Sequence, residues 1–330
     1  MIISRTPLRV SLAGGGTDLK SFYSEEDGQV LSTAIDKYIY VVLKRQVGIV
    51  EHRYRINWSQ VEFRDNIDDI EHPIIREALR MFGIDFPIEI STFADIPSNT
   101  GLGSSSAFAV GLVHALHALS GQMVTKYELA SKAADIEVNI LKRVMGKQDH
   151  FASAYGGLNV FTFKADETVM VEPVFYQAPV QVALEQNLML FYTRQKRDAS
   201  EILQSQNRAT PQRRPVLKKM RDQVPLLREI LNNGSALDGV GMLLHEGWSM
   251  KRSLTNEIST SEVDDYYERA RKAGAIGGKL LVAGGGGFLL LYENPPKQAN
   301  VIAALSDLYH LSIKMDRGGT RITYYDQDRI

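Results

Sequence analysis

A glycine- and serine-rich stretch, PSNTGLGSSSA at residues 97–107, has the composition of a phosphate-binding loop. The segment before it, Pro87 to Ile96, is rich in β-branched and aromatic residues and predicts a strand. The segment after it, Ser104 to Leu119, is apolar nearly all round and predicts a buried helix. The first turn of such a helix offers unpaired N–H groups and a positive dipole end to an anion. We therefore predict that the loop binds a nucleotide phosphate. The residues expected to contact the nucleotide are Pro97, Gly101, Leu102, Gly103, Ser104, Ser105 and Ser106.

Other interpretations of this stretch compete with the prediction above. A serine-rich loop that only caps a core helix has the same composition. A dinucleotide fingerprint fits poorly, because the strand does not run straight into the glycines and no Asp or Glu stands about 20 residues further on to hold a ribose. The Walker pattern fails because no lysine follows the second glycine. The loop is therefore expected to bind phosphate in another way.

Two acidic residues follow the predicted helix. Thr125 and Glu128 form a capping-box pattern that opens an amphipathic helix ending near Gly146, and Glu137 lies inside this helix. We predict that residues 146–150 form a loop, which contains Asp149. A glutamate on a helix is usually solvated, and an aspartate after a helix is usually a turn residue. Neither Glu137 nor Asp149 alone therefore indicates a site, but their occurrence together favours one.

Two histidines and an early glycine loop are further candidates. His114 and His117 share a helix face, but no third metal ligand is visible, and a polar edge of a buried helix is the simpler interpretation. The predicted strand from Ile2 to Ala13 ends in GGGTD at residues 14–18. This loop is either a tight turn after an edge strand or a site loop that offers Asp18 to a ligand.

The composition is that of an ordinary globular protein. It has 330 residues, of which 44% are hydrophobic and 23% charged, and a formal net charge of −1. This length exceeds what one compact core usually holds, so two domains or one large one are expected. The charge balance predicts no binding to nucleic acid or to an anionic membrane. With no cysteine and no apolar run of about 18 residues, we expect a cytoplasmic protein without disulfides or thiolate metal sites.

A change in charge pattern places a domain boundary near residue 168, which gives domains 1–168 and 169–330. In the first domain, Leu31 to Gln46 and Tyr54 to Arg64 are each predicted as one strand. In the second, Val171 to Thr193 is predicted as two strands. Further predicted elements of the second domain are helices from about Ala199, at Pro215 to Leu231, at Leu237 to Ser253 and at Glu262 to Ala273, and a strand after the glycine-rich residues 277–287.

Three glycine-rich segments with Glu137 and Asp149 between them resemble the GHMP superfamily of small-molecule kinases, which includes galactokinase, homoserine kinase, mevalonate kinase and phosphomevalonate kinase. PLRVSLAGGGTD at residues 7–18 matches the first motif of the family, PSNTGLGSSSA the second, and GKLLVAGGGGFLLLY at residues 278–292 the third. The resemblance implies an α+β fold, with a ribosomal-protein-like N-terminal domain and a ferredoxin-like C-terminal domain. It also implies that ATP and its acceptor meet between them.

The resemblance implies roles for individual residues. Ser105 and Glu137 match the two magnesium ligands of the family, so the expected cofactors are ATP and Mg²⁺. Asp149 matches the base, and Arg9 matches the basic residue beside it and the acceptor hydroxyl. Asp18 matches the sugar-binding aspartate.

The glycine loops are expected to contact the acceptor. Galactokinases have Glu-His where this sequence has Gly15 and Gly16, which argues against galactose. The residues of these loops expected to bind substrate are Gly15, Gly16, Thr17, Asp18, Gly285 and Gly286.

Several segments, including GGGTD, HPIIREAL and HEGWSMKR, are similar to the D-glycero-D-manno-heptose 7-phosphate kinases within this superfamily. The resemblance implies transfer of the ATP γ-phosphate to an anomeric hydroxyl. Basic residues would then bind the acceptor phosphate, with Arg197 as first choice and Lys251 as a second. Fucokinases carry similar glycine motifs and remain an alternative, as does a noncatalytic sugar or nucleotide sensor. The expected partners are a sugar phosphate and ATP, and a homodimer is left open.

Overall fold

The computed structural model describes residues 1–195, 199–281 and 286–326. These residues form one mixed sheet and one antiparallel sheet, with helices packed on them. Within these ranges the first sheet has eight strands, in the order β12-β1-β2-β5-β3-β4, and β6 pairs with both β2 and β7. Its strands are β1 (Ile2–Ala13), β2 (Gly28–Arg45), β3 (Tyr54–Asn57), β4 (Val61–Arg64), β5 (Ile88–Ala94), β6 (Leu158–Phe163), β7 (Val169–Pro173) and β12 (Arg321–Tyr325).

The second sheet has the order β11-β8-β10-β9 in the described part of the chain, and all its pairs are antiparallel. Its strands are β8 (Leu188–Tyr192), β9 (Gly277–Leu280), β10 (Phe288–Tyr292) and β11 (Tyr309–Leu311). The predicted α+β fold with two sheets is confirmed.

Helices account for the rest of the regular structure. Those described are α1 (Lys20–Tyr23), α2 (Pro73–Met81), α3 (Ser104–Leu119), α4 (Lys126–Ala134), α5 (Gln148–Tyr155), α6 (Ala178–Asn187), α7 (Ala199–Asn233), α8 (Asp238–Arg252), α9 (Ser261–Lys272) and α10 (Pro295–Ala304). A 3₁₀ turn spans Ile67–Asp69, and a π-helix spans Asp135–Ile140 directly after α4. Searched over the described ranges, the chain has no helix long and apolar enough to cross a membrane.

Helix α3 is the central element of the first domain, and the sequence explains why it lies so close to β1. Most of its residues are buried, as the apolar sequence predicts. A Cβ at Gly111 would come within 2.8 Å of Thr6 Oγ1, so only glycine permits this approach. Ser4 Oγ donates a hydrogen bond of 2.7 Å to the Gly111 carbonyl. The middle of α3 is thereby held against the strand that carries Arg9.

Several sequence predictions about secondary structure are wrong. The segment predicted as one strand from Tyr54 to Arg64 is a hairpin of β3 and β4. The segment Val171 to Thr193 contains helix α6 between β7 and β8, and Pro179 lies in the first turn of that helix. The helix predicted from about Ala199 continues to Asn233, although Pro211, Pro215 and Pro225 lie inside it. Residues 148–150, predicted as loop, begin helix α5.

The predicted division at residues 168 and 169 stays a prediction. In the structure, β7 pairs with β6, and β12 pairs with β1 through the register Ile2 with Tyr325 to Arg5 with Arg321. Two strands that follow the predicted boundary therefore hydrogen-bond within the first sheet.

Candidate active site

Arg9 and Asp149 form a bidentate ion pair next to the glycine- and serine-rich loop. Arg9 Nε lies 2.6 Å from Asp149 Oδ1, and Arg9 Nη2 lies 2.7 Å from Asp149 Oδ2. The remaining guanidinium nitrogen, Nη1, donates to the Gly101 carbonyl at 2.7 Å, and the backbone N–H of Arg9 donates to the Leu102 carbonyl at 3.1 Å. The arginine therefore binds the loop on one side and the carboxylate on the other.

Asp149 lies in the first turn of α5 rather than in the predicted loop. A carboxylate in that position is stabilised by the positive end of the helix dipole. Its side chain is 17% exposed and that of Arg9 is 8% exposed, so the pair is largely shielded but still open to a ligand. Each carboxylate oxygen can accept a second hydrogen bond beyond the one from Arg9.

The phosphate-binding loop ends in Gly103, which directly precedes α3 and has a φ of 75°. A Cβ at this position would lie 3.1 Å from Asp149 Oδ2 and 3.3 Å from Arg9 Cγ, on top of a left-handed backbone that disfavours side chains. Glycine is thus needed here for both reasons. It brings the free N–H groups of the first turn of α3 beside the ion pair.

The residues expected to contact the nucleotide lie in two groups. Leu102 is fully buried, and Pro97 contributes a carbonyl that accepts a hydrogen bond of 3.0 Å from the Thr100 hydroxyl. The others line one cavity together with Arg9 and Asp149, namely Gly101, Gly103, Ser104, Ser105 and Ser106.

Ser105 and Glu137, the two residues predicted to hold magnesium, are in direct contact. Ser105 Oγ donates to Glu137 Oε1, which also accepts 2.6 Å from Arg143 Nη1, while Glu137 Oε2 lies 2.8 Å from His150 Nε2. Burial raises the pKa of the Glu137 carboxyl. The hydrogen bond from His150 and the contacts with Ser105 and Arg143 outweigh burial, and the pKa is lowered overall. Glu137 is therefore an ionised carboxylate.

The chemistry of these two donors suits a hard cation. A carboxylate oxygen and a hydroxyl oxygen are ligands that Mg²⁺ accepts, and Mg²⁺ in nucleotide enzymes usually takes only one or two protein ligands besides phosphate oxygens and water. Over the described ranges there is no cluster of three or more His, Cys, Asp or Glu side chains that could hold a metal ion by itself. The residues fit a metal that arrives with the nucleotide.

The early glycine loop contributes Gly15, Gly16 and Asp18 to the same cavity. Asp18 Oδ1 accepts a hydrogen bond of 2.9 Å from the Gly16 N–H. Burial and the nearby charge of Asp149 raise the pKa of Asp18. A Cβ at Gly146 would lie 1.7 Å from Asp18 Oδ2, so the Asp18 side chain can hold its place only because residue 146 is glycine.

Thr17, predicted to bind substrate, is fully buried, and its hydroxyl stabilises the turn. Its hydroxyl oxygen lies 2.8 Å from the Gly14 carbonyl and 2.9 Å from the Gln29 carbonyl. Its role in binding stays a prediction.

Two lysines lie in the same cavity, and one of them was not predicted. Lys251 on α8 was predicted, whereas Lys279 on β9 was not. Lys279 is only 7% exposed, and its Nζ lies 3.5 Å from the Leu12 carbonyl. Burial and the charges of Lys251 and Arg9 lower the pKa of Lys279, and burial with Arg9 lowers the pKa of Lys251 to about 8. The signal in the sequence is a single lysine in an otherwise apolar and glycine-rich strand, where an unpaired charge is costly.

The remaining predicted substrate-binding residues are Arg197, Gly285 and Gly286. Arg197 and Gly285 lie outside the described residues. Gly286 lies against Gln195, where an added Cβ would meet Gln195 Cβ at 2.6 Å. The roles of these three residues stay predictions.

The histidine pair on α3 has other contacts. His114 Nδ1 lies 3.0 Å from Thr320 Oγ1, and His117 Nε2 lies 2.9 Å from Lys132 Nζ. These contacts agree with the interpretation of the pair as a polar edge of a buried helix.

Comparison with known proteins identifies the family. Residues 72–157 match the family model of the GHMP kinases N terminal domain, and residues 224–311 match that of the GHMP kinases C terminal domain. A D-glycero-alpha-D-manno-heptose 7-phosphate kinase of Campylobacter jejuni is 29% identical over 317 residues, which cover 92% of this chain and 93% of that protein. A bifunctional fucokinase/GDP-fucose pyrophosphorylase of Arabidopsis thaliana is 27% identical over 295 residues, 79% of this chain but 27% of that protein.

Solved structures agree with this assignment. A D-glycero-D-manno-heptose 1-phosphate kinase of Bacteroides thetaiotaomicron superposes with a TM-score of 0.81 at 22% identity, over 99% of this chain and all of that one. A putative sugar kinase of Campylobacter jejuni superposes with a TM-score of 0.72 at 25% identity, over 97% of both chains. The resemblance in the sequence and the implied fold are confirmed. The chain belongs to the GHMP kinases, and it is an ATP-dependent phosphotransferase of that family.

Proposed function

We propose that this kinase transfers the γ-phosphate of ATP to the anomeric hydroxyl of D-glycero-D-manno-heptose 7-phosphate and forms the 1,7-bisphosphate. The observation that carries the proposal is the bidentate pair of Arg9 and Asp149 in one cavity with the phosphate-binding loop and with Lys251 and Lys279. The cavity thus contains donors for phosphate oxygens, a carboxylate for a hydroxyl proton and two lysines for an acceptor phosphate.

In this proposal Asp149 orients the acceptor hydroxyl and accepts its proton. The two hydrogen bonds from Arg9 fix the carboxylate, and its oxygens can still accept a hydrogen bond from a hydroxyl. The fixed charge of Arg9 favours the developing alkoxide. Phosphoryl transfer needs little more than this positioning and charge stabilisation.

The loop and the two oxygen donors beside it hold the nucleotide. N–H groups in the first turn of α3 would bind phosphate oxygens, with the helix dipole favouring their charge. Ser105 and Glu137 would hold Mg²⁺, which neutralises charge on the phosphates when it is bound.

The charges of the cavity support an anionic acceptor. Its described charged side chains are Arg9, Lys251, Lys279, Asp18 and Asp149, three positive and two negative. Arg9 and Asp149 form an ion pair with each other, and Lys251 and Lys279 lie in the same cavity. Burial and neighbouring cations lower the pKa of both lysines, so an acceptor phosphate bound beside them would favour their charged forms, whereas a neutral sugar such as fucose would not.

Similarity to the heptose 7-phosphate kinase of Campylobacter jejuni supports the same acceptor, and Arg197 stays a predicted contributor. The fucokinase-like alternative rests on the resemblance to the plant enzyme. The two acceptors differ in charge, so a direct comparison separates them.

A coupled assay of ADP release tests the proposal with heptose 7-phosphate, free heptose, fucose and galactose. We expect kcat/KM to be highest by at least about ten-fold for heptose 7-phosphate, and ³¹P NMR of the product to show an anomeric phosphate. Equal efficiency with fucose or free heptose would favour the fucokinase-like alternative. No turnover with any of these acceptors would leave the proposed acceptor class without support.

A further inference from the structure

Arg143 lies between the two residues that are proposed to hold the metal. Its Nη1 donates to Glu137 Oε1 at 2.6 Å and to Ser105 Oγ at 3.0 Å. One guanidinium nitrogen carries two hydrogens, so it can bind both oxygens at once. The guanidinium thus takes the place, between a carboxylate and a hydroxyl, where a small cation would share the same two oxygens.

The backbone directs Arg143 to this place. Its N–H donates 3.0 Å to the carbonyl of Glu137 and closes the turn after the π-helix. Lys142, just before it, has a φ of 54°, which reverses the chain. The contact is therefore part of the local fold. The Arg143 side chain is 38% exposed, so it can turn out to solvent without opening the core.

We propose, resting on the proposed function, that Arg143 fills the cation position while the nucleotide is absent and is displaced from it by the metal that arrives with ATP. Mg²⁺ binds oxygen at about 2.1 Å, and the guanidinium cannot keep its hydrogen bonds to both oxygens beside an ion at that distance. Repulsion between the two cations also favours displacement. Arg143 is on this account a positioning residue for the metal site.

Displacement is feasible because Glu137 does not depend on Arg143 for its orientation. His150 holds the second carboxylate oxygen at 2.8 Å, and both of these side chains are fully buried. A metal ion that is bound to the phosphates of a nucleotide can replace the guanidinium, because the phosphate oxygens supply further ligands. A free metal ion must displace the guanidinium without those ligands. The arrangement therefore makes metal binding depend on nucleotide binding.

The test is Mn²⁺ binding to the full-length protein without nucleotide, with free Mn²⁺ measured by electron paramagnetic resonance. We expect Arg143→Gln to lower the Mn²⁺ dissociation constant at least about five-fold. Lys142→Gln is the matched control, because it removes the same charge from an exposed neighbour that makes no such contact. It should stay within two-fold of the wild type. Arg143→Lys keeps the charge but loses the planar guanidinium group. Its Mn²⁺ dissociation constant should lie between those of the wild type and Arg143→Gln.

The outcomes separate this inference from the metal site on which it rests. Adding Glu137→Gln to Arg143→Gln should weaken Mn²⁺ binding again. If the double variant binds Mn²⁺ more weakly than Arg143→Gln, but Arg143→Gln itself binds Mn²⁺ no more tightly than the wild type, the metal site is supported and the role of Arg143 is overturned. If Glu137→Gln has no effect in either background, the proposed metal site itself fails. A loss of ADP affinity in Arg143→Gln with unchanged Mn²⁺ binding would assign Arg143 to the nucleotide and overturn the inference.

Discussion

Arg9 and Asp149 are 140 positions apart in the chain and face each other through two hydrogen bonds of 2.6 and 2.7 Å. The pair joins β1 to the first turn of α5. Because Arg9 also binds the carbonyl of Gly101, the carboxylate, the guanidinium and the phosphate-binding loop form one rigid unit.

Asp149→Asn should lower turnover by about 10² or more while ATP binding is kept, since the amide can still lie beside Arg9 but cannot accept a proton. Steady-state kinetics and nucleotide binding by calorimetry measure the two effects. Asp85→Asn, at an exposed position, is the control and should leave both unchanged. Near wild-type turnover of Asp149→Asn would remove Asp149 from the proposed role.

Ser105→Ala and Glu137→Gln should each raise the Mg²⁺ concentration needed for half-maximal rate, because each removes an oxygen ligand from a hard cation. The effect should be larger for Glu137, whose charge attracts the ion. Titration of Mg²⁺ at saturating ATP gives the measurement, with the exposed Ser120→Ala as control. An unchanged Mg²⁺ dependence in both variants would contradict the assignment.

Lys279→Gln should raise the KM for heptose 7-phosphate at least about ten-fold, equivalent to about 1.4 kcal/mol, and leave the KM for ATP within two-fold. The physical reason is the loss of one of the two lysines that line the cavity with Asp18 and would bind the acceptor phosphate. Arg197→Ala is predicted to act in the same direction. Lys272→Gln, on the exposed side of α9, should have no effect. If Lys279→Gln raised the KM for free heptose as much as the KM for the phosphorylated sugar, the lysine would not be binding the phosphate.

Stability should fall at mildly acidic pH, in part because of His114. Burial, with smaller effects from His117 and Lys126, lowers the pKa of His114 to about 4, whereas its ordinary value is 6.5. Between these values the unfolded chain binds the proton and the folded chain does not. The free energy of unfolding therefore decreases as pH falls from 6.5 to about 4. Urea unfolding at several pH values should give a shallower dependence for His114→Asn. An identical slope would show that His114 titrates normally in the folded protein.

The phosphate-binding loop and its helix were predictable from the sequence because their signals are local. The predicted helix from Ser104 to Leu119 has the bounds of α3, and the capping box at Thr125 and Glu128 is present. A continuous apolar run of this length is longer than a typical strand and therefore favours a buried helix. The association of Glu137 and Asp149 with this loop was implied by the resemblance to the GHMP kinases, not by a local pattern.

Other features depend on distant parts of the chain and could not be predicted locally. Prolines at 211, 215 and 225 should end a helix, yet α7 continues through them because its buried face packs against other elements. The contact of Arg143 with Glu137 arises from a π-helical turn, whose register differs from the α-helix that the sequence predicts. Lys279 shares a cavity with Arg9, Asp18 and Lys251, which are widely separated in sequence.

The pairing of β12 with β1 has a consequence for how this protein is made. Strand β1 is translated long before Arg321–Tyr325, the strand that pairs with its edge. Throughout synthesis β1 therefore offers open N–H and C=O groups to other chains, a known cause of aggregation. The first sheet is completed only after the second sheet has been translated, so a nascent chain that stalls before residue 321 carries an open edge on the strand that contains Arg9.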